Sequence, residues 1–294
     1  MNELITVYIP THNRSELLNK AVNSVLNQTY NFIELIICDD GSTDNTKETV
    51  LEIINKNINS NIRIKYLKNE SPKGACFSRN RCISEATGKY ITGLDDDDLF
   101  TSDRLEVFLT ESNKHASTFL CSNILLDDGV NIEPGPTFSG LINHSMMRER
   151  NHIGNQIFIL TENIKALGGF DEKFPAWQDY ELWFRLTARF GPCLRIKNAT
   201  YIMNIEIERV RITTGSKSHK GFKMFLDKHS GDLSLSNRKN LFIQDKMNRG
   251  ELVCFYDVLK NLTLNNIFFF AKQELKKIKI LTKINRSIKK LKLN

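Results

Sequence analysis

Four short apolar runs recur in the first 94 residues, and the spacing between them constrains the fold more than any other feature. LITVYI (residues 4–9) ends at Pro10, and FIELIIC (32–38) ends at DDGST. IRIKYL (62–67) alternates apolar and polar residues, and YITGL (90–94) runs into four aspartates. Their length and β-branched content are those of strands. Between the first two, residues 15–26 place Leu17, Leu18, Ala21, Val22, Val25 and Leu26 on one helical face. Residues 43–54 and about 78–86 read as further helices. This β-α-β-α-β-α-β order predicts an α/β domain: a Rossmann-like, mostly parallel sheet flanked by helices.

The middle of the chain is less regular. Residues 119–126 read as another strand and 127–140 as loop, with Gly129, Pro134, Gly135 and Pro136. GGFDEKFPAWQDYELWFRL (168–186) starts as a loop and becomes helical near Gln178. After about Asn204 the αβ rhythm fades. The expected division is therefore a domain over residues 1–204 and a partly helical, basic C-terminal extension over 205–294.

Polar clusters follow three of the four strands: PTHNR, DDGSTD and DDDD. In open α/β sheets ligands bind outside the carboxyl ends of the strands, so three such clusters on one edge describe a site. Four adjacent carboxylates repel one another, and a divalent cation relieves that repulsion. An oxygen-only donor set suits Mg²⁺ or Mn²⁺, which keep waters and bridge to substrate phosphates. The plainer alternative is an acidic helix start, with Ser102 or Asp103 capping a helix from Arg104. The chain has no GxxxxGK[ST] and no GxGxxG after its first strand, which removes a P-loop and disfavours a dinucleotide fold. A phosphatase with an aspartyl nucleophile would carry that residue on its first strand and Thr or Val at Leu99, and this chain does not.

Taken together, VYIPTHNR, LIICDDGSTDNT, GACFSRNRCISEATGKYITGLDDDD and GGFDEKFPAWQDYELWFRL resemble the family 2 glycosyltransferases of the GT-A fold. The resemblance covers about residues 4–186. It implies an inverting hexosyltransferase that uses a nucleotide-sugar, with UDP as the expected nucleotide and Mn²⁺ or Mg²⁺ as cofactor. Pro10, Thr11, Asn13 and Arg14 match the family's nucleotide-binding segment, and Asp39 matches its uracil-binding carboxylate. Asn69, Gly74 and Arg79 fall at its N…G…RN segment, in a loop, NESPKGACFSRN, that departs somewhat from the family. Asp95 and Asp97 match the paired acids of the DxD motif, Asp97 as the direct metal ligand, and Asp95 and Asp96 lie near ribose and diphosphate. Asp96 adds a charge where relatives carry a small residue. Asp179 matches the catalytic base, with Glu181 as the fallback. Trp177, Gly169 and Asp171 match the loop between donor and acceptor sites. His219 is a lone histidine that would at most add a metal ligand. Other classes compatible with these residues are a non-catalytic nucleotide-sugar-binding scaffold subunit and a metal-dependent phosphohydrolase.

Charge separates the tail from the rest. The chain carries 41 Lys/Arg and 34 Asp/Glu, but residues 257–294 hold ten of the bases and only two of the acids. LKKIKILTKINRSIKKLKL places Leu275, Ile278, Leu281 and Ile288 at near-helical spacing among lysines. That is the pattern of an interfacial helix drawn to anionic lipid. It also fits the glycan acceptor that the resemblance implies, one linked to a polyprenyl diphosphate in surface polysaccharide (O-antigen or capsule) biosynthesis. No nucleic-acid motif accompanies the basic residues. The six cysteines form no CxxC and are irregularly spaced, which favours reduced thiols. The N-terminus, with an early Glu and a short apolar run, reads poorly as a signal peptide. The expected location is cytoplasmic, peripheral on the inner face of the cell membrane.

Overall fold

The computed structural model describes residues 3–58, 60–115, 119–154, 156–206 and 216–275. The chain divides into two compact units, Met1–Met147 with Asn151–Val210 and Arg148–Arg150 with Arg211–Asn294.

The first unit runs β1 (Ile5–Thr11), α1 (Ser15–Leu26), β2 (Ile33–Asp39), α2 (Thr46–Lys56), β3 (Arg63–Lys68), α3 (Ala75–Glu85) and β4 (Tyr90–Gly93). It continues with β5 (Leu99–Phe100), α4 (Arg104–Lys114), β6 (Phe119–Asp127), β7 (Ile132–Pro134), β8 (Gly140–Ile142) and α5 (His144–Met147). It ends with β9 (Phe158–Leu160), α6 (Thr161–Ala166), α7 (Gln178–Phe190) and β10 (Cys193–Asn204). Among the described residues the strands form one sheet in the order β3-β2-β1-β4-β9-β6-β10-β5, with β7 on β6 and β8 on β10.

Strands β3, β2, β1 and β4 are parallel neighbours. Every residue of β1 and β2 is buried, because helices cover both faces of a parallel sheet; their apolar runs are continuous rather than alternating for that reason. Leu18, Ala21, Val22 and Val25 of α1 have no exposed surface. Burying a Val or Leu in this way stabilises the fold by about 1.5–3 kcal/mol each.

The register fixes the site. Thr11 lies opposite Asp39, and Tyr8 opposite Gly93. The carboxyl ends of β1, β2 and β4 therefore stand side by side, and the residues after each share one edge.

The structure departs from the sequence reading in the second half. Residues 127–140 are not all loop: Asp127 closes β6, and β7 returns antiparallel to pair Leu126 with Glu133. Strand β9 enters antiparallel between β4 and β6, so the sheet is mixed. Helix α3 starts at Ala75, three residues earlier than its periodicity suggests. Gly74, at φ 98°, turns the chain into it and donates its N–H to Asp40 Oδ2 at 2.7 Å.

The second unit is helical: α8 (Ser216–Lys228), α9 (Leu235–Asn248), α10 (Phe255–Lys260) and a helical segment over residues 264–275. Ser234 caps α9, accepting from the Asn237 N–H while the Asn237 side chain accepts from the Ser234 N–H. His219 Nδ1 lies 2.9 Å from the buried Asp245 carboxylate, which also holds Arg249.

Candidate active site

The four aspartates after β4 have four different surroundings. Gly93, the last residue of the strand, has no room for a side chain. A Cβ there would sit 2.2 Å from Gln156 Oε1 and 2.5 Å from the Tyr8 ring. Asp95 Oδ1 accepts from Arg79 Nη2 at 2.9 Å and from Gln156 Nε2 at 3.2 Å. Asp96 accepts from Thr11 Oγ1 at 2.8 Å and from Arg14 Nη1 at 2.9 Å. Asp97 shares that guanidinium nitrogen at 3.1 Å. Asp98 turns inward, where it accepts from Tyr201 Oη at 2.7 Å and the Asn204 N–H at 2.9 Å. Burial and the charges of Asp95 and Asp97 push the Asp98 carboxyl up to about 8. Two carboxylates therefore stay accessible, with side chains 23% (Asp95) and 25% (Asp97) exposed, while Asp96 at 8% lies in the wall.

The helix-start alternative fails on geometry. Helix α4 does begin at Arg104, but Asp103 makes no side-chain cap bond and four residues separate the last of the aspartates from it. Arg104 itself is buried against Phe100, Phe108 and Tyr201 and donates to Ser122 and Thr200.

Along the ends of β1 and β2, Asn13 adopts φ 52°. Its N–H donates to Ser42 Oγ at 2.8 Å, and its Oδ1 accepts from the Thr43 N–H at 2.8 Å. The two strand-end loops are thus tied together. Pro10 is buried within β1, opposite Cys38. Asp39 is fully buried: Oδ1 accepts from the Ser42 N–H at 2.7 Å, and Oδ2 from Tyr66 Oη at 2.6 Å. Asn69 is also inside the wall, donating to Asp40 and Ser78 and accepting from Arg81. The hub of this wall is Asp40, the second residue of the DDGSTD cluster. It accepts from the N–H groups of Lys73 and Gly74 and from Asn69 at 2.7–2.8 Å. Burial raises its carboxyl, and these hydrogen bonds outweigh that, so it sits below the ordinary carboxylate range.

Behind the aspartates lies Arg79, with its side chain only 7% exposed. Beyond the Asp95 bond, its Nε and Nη1 are buried with no hydrogen-bond partner, and the guanidinium stands 5.3 Å from the Phe170 ring centre. Asp179 is in the first turn of α7, half-buried, and its Oδ1 is sealed from solvent and equally without a partner. Burial raises the Asp179 carboxyl to about 7; Arg79 opposes the rise and Asp95 adds to it. Glu181, by contrast, is fully buried and paired with Arg185 Nε and Nη2 at 2.7 and 2.8 Å. Both of its carboxylate oxygens accept from Arg185.

Trp177 precedes α7 at φ 65°, a conformation rare for a bulky residue. Its ring is 9% exposed and lies 5.5 Å from Tyr180. Gly169, at φ 69°, leaves no space for a Cβ, which would meet Asn80 Oδ1 at 2.4 Å. Asn80 holds Phe170 through both its N–H and its carbonyl. Asp171 Oδ1 accepts from the Lys173 N–H at 3.1 Å. The loop between Gly169 and Trp177 is thus clasped from α3 on one side and enters α7 on the other. Gln156 joins the site from an irregular stretch before β9, and no sequence signal marked it.

The donor chemistry fits a hard divalent cation: two accessible carboxylates on one turn, with no sulfur or imidazole hydrogen-bonded to them among the described residues. Among the described residues no three His, Cys, Asp or Glu converge as a metal-holding cluster. Asp95 and Asp97 are the residues that would hold such a cation.

This mostly parallel α/β sheet flanked by helices is the GT-A fold of glycosyltransferases. Solved structures of the same fold include S. aureus TarS 1-349 in complex with UDP-GlcNAc, at TM-score 0.67 and 16% identity over 89% of this chain and 76% of that one. A mannosyltransferase from Pyrobaculum calidifontis in complex with GDP-Man and Mn²⁺ gives TM-score 0.61 and 13% identity over 93% and 80% of the two chains. The sequence profile of glycosyl transferase family 2 matches residues 6–163. The Escherichia coli K12 protein described as a putative colanic acid biosynthesis glycosyl transferase, WcaA, is 32% identical over 81% of this chain and 85% of its own. Escherichia coli WfgD, a UDP-Glc:alpha-D-GlcNAc-diphosphoundecaprenol beta-1,3-glucosyltransferase, is 31% identical over 62% of this chain and 69% of its own. The chain belongs to glycosyl transferase family 2 and is a glycosyltransferase.

Proposed function

We propose that this enzyme transfers a sugar from a UDP-sugar to a hydroxyl of a glycan carried on a polyprenyl diphosphate, with inversion, in the assembly of a surface polysaccharide. The observation that carries this reading is the pair of accessible carboxylates, Asp95 and Asp97, on one turn, with Asp95 and Asp179 both acting on one buried arginine, Arg79. The names of WcaA and WfgD support the pathway and the acceptor class.

In this reading Asp97 and Asp95 are the residues that would hold Mn²⁺ or Mg²⁺, and such a cation would supply positive charge to stabilise a leaving diphosphate. Thr11, Asn13 and Arg14 line the nucleotide side, and Gly74, at the start of α3, allows close backbone approach. Arg14, now between Asp96 and Asp97, is placed to meet a phosphate. Asp39 and Asn69 act from inside the wall. Both are buried and hydrogen-bonded to the strand-end loops, Asp39 to Ser42 and Tyr66 and Asn69 to Asp40, which supports a role in setting those loops.

Asp179 accepts the proton of the attacking hydroxyl. With its carboxyl at about 7 it is ionised in a useful fraction near neutral pH and still basic enough to take a proton. The positive charge of Arg79 offsets the like charges of Asp95 and Asp179. Gly169, Asp171 and Trp177 border the acceptor side, Trp177 by fixing the start of α7. The test is Asp179→Asn: UDP binding is retained, and transfer falls by roughly 10²–10⁴-fold, the range for loss of a general base. Normal transfer by this variant removes Asp179 from the role.

The basic tail is read as drawing the enzyme to anionic lipid on the cytoplasmic membrane face. Of its helical pattern, Leu275 is described, while Ile278, Leu281 and Ile288 lie outside the described residues. No helix among the described residues is long and apolar enough to cross a membrane.

A further inference from the structure

The aspartate turn is gripped from β10. Leu94 opens the turn by donating its N–H to the Tyr8 carbonyl at 2.9 Å, and the Asp98 N–H closes it on the Asp95 carbonyl at 3.1 Å. Arg79 and Arg14 engage the first three aspartates. The fourth is held by a hydroxyl that spans the whole turn. Tyr201 Oη donates to Asp98 Oδ2 at 2.7 Å and accepts from the Asp95 N–H at 3.4 Å. A phenol can do both at once. Beside it, the Asn204 N–H donates to Asp98 Oδ1 at 2.9 Å. Both oxygens of Asp98 are therefore turned to β10, while Asp95 and Asp97 stay partly exposed.

Tyr201 is itself firmly placed. Strand β5 follows the turn directly and pairs antiparallel with β10, so that Phe100 stands opposite Tyr201. Opposed residues of such a pair share a face, and the two ring centres lie 5.9 Å apart. The Arg104 guanidinium lies 5.2 Å from the Tyr201 ring centre and is fixed by its bonds to Ser122 and Thr200. A side chain enclosed in this way acts through the turn and does not touch substrate. We infer that Tyr201 is a positioning residue for the aspartate turn: its hydroxyl fixes Asp98 inward and the Asp95 backbone in place, which leaves Asp95 and Asp97 as the outward pair. Without it, a fourth carboxylate is freed among like charges. The inference rests on the proposal that Asp95 and Asp97 hold a cation, and adds to it the residue that aims them. Groups behind cation ligands set their orientation, and losing one costs about 10–100-fold in affinity.

The test is Tyr201→Phe in the full-length protein, which removes one oxygen and keeps the ring against Phe100 and Arg104. Tyr30→Phe is the control, because Tyr30 Oη donates to the Glu3 carbonyl before the amino end of β1, at the opposite edge of the sheet from the site. Two quantities are read. One is amide hydrogen exchange resolved over residues 94–98 with no cation added. The other is Mn²⁺ affinity in the presence of UDP, from the paramagnetic resonance signal of free Mn²⁺. The wild type should show a protected Asp95 amide. Tyr201→Phe should speed exchange over 94–98 and weaken Mn²⁺ binding by about tenfold or more, with turnover restored by excess Mn²⁺. Tyr30→Phe should leave both quantities at their wild-type values, which separates positioning from a general loss of stability. The inference is overturned by an unprotected Asp95 amide in the wild type, or by an equal change in Tyr30→Phe. Mn²⁺ binding that is lost in Asp97→Ala but kept in Tyr201→Phe would fail this inference alone. A turn that loosens in Tyr201→Phe, in a protein whose wild type binds no Mn²⁺, would fail the cation proposal alone.

Discussion

At the scale of single residues, the additional aspartate, Asp96, is explained by its partners. Asp96 is a buried counter-charge for Arg14 and a hydrogen-bond acceptor for Thr11, so it joins the β1 end to the β4 end. The sequence showed four equivalent acids because neighbouring carboxylates differ only in which way the turn aims them. The same limit hid Gln156, which is remote in sequence from every motif, and the burial of Asp39 and Asn69. Asp179 is proposed from its motif, and its environment gives a pH prediction for that proposal. Because burial holds its carboxyl near 7, the transfer rate should rise with pH through about 7 and level off above it, and a rate independent of pH between 5.5 and 8 would contradict the assignment. The linked stability runs the other way. A carboxyl raised in the folded state favours the fold while protonated. Its contribution is complete below the ordinary carboxylate range of about 4 and is lost as pH rises through about 7. Thermal melts should show Asp179→Asn gaining on the wild type between pH 5 and pH 8.

At the scale of elements, β1 to β4 and their helices were readable because continuous apolar runs and one-sided helices are direct consequences of a two-face-covered sheet. The later strands were not readable. Strand β9 has three residues, too few to show a period, and β10 is interrupted by register shifts between Arg195 and Tyr201. Helix α7 has a further requirement that its sequence does not display, since its first turn must present Asp179 while burying Glu181. The Arg185 pair makes that possible, and breaking a buried pair costs about 3–5 kcal/mol. Glu181→Gln should therefore lower the unfolding free energy by an amount of that order in urea titration and weaken transfer through α7, leaving UDP affinity nearly unchanged. Loss of transfer at full stability would mean that Glu181 touches the reaction directly. The Gly169 turn is a second such device: Gly169→Ala places a Cβ against Asn80 at a φ unsuited to alanine and should destabilise the loop that leads into α7.

At the scale of the whole molecule, a glycosyltransferase unit is followed in sequence by a helical unit that holds the excess positive charge. Deleting residues after about Leu259 should release the protein from anionic vesicles at low salt, and unchanged sedimentation with them would refute the role of the tail. The central claim is that the aspartate turn delivers a cation to a UDP-sugar and that this cation is needed for transfer. The most direct measurement is turnover of a panel of nucleotide-sugars, with and without Mn²⁺, by the wild type and by Asp97→Ala. The account predicts Mn²⁺-dependent turnover of a UDP-sugar by the wild type, abolished by chelation and absent in the variant. Turnover that persists unchanged in Asp97→Ala, or a wild type that binds UDP and turns over no nucleotide-sugar with any cation, would contradict it.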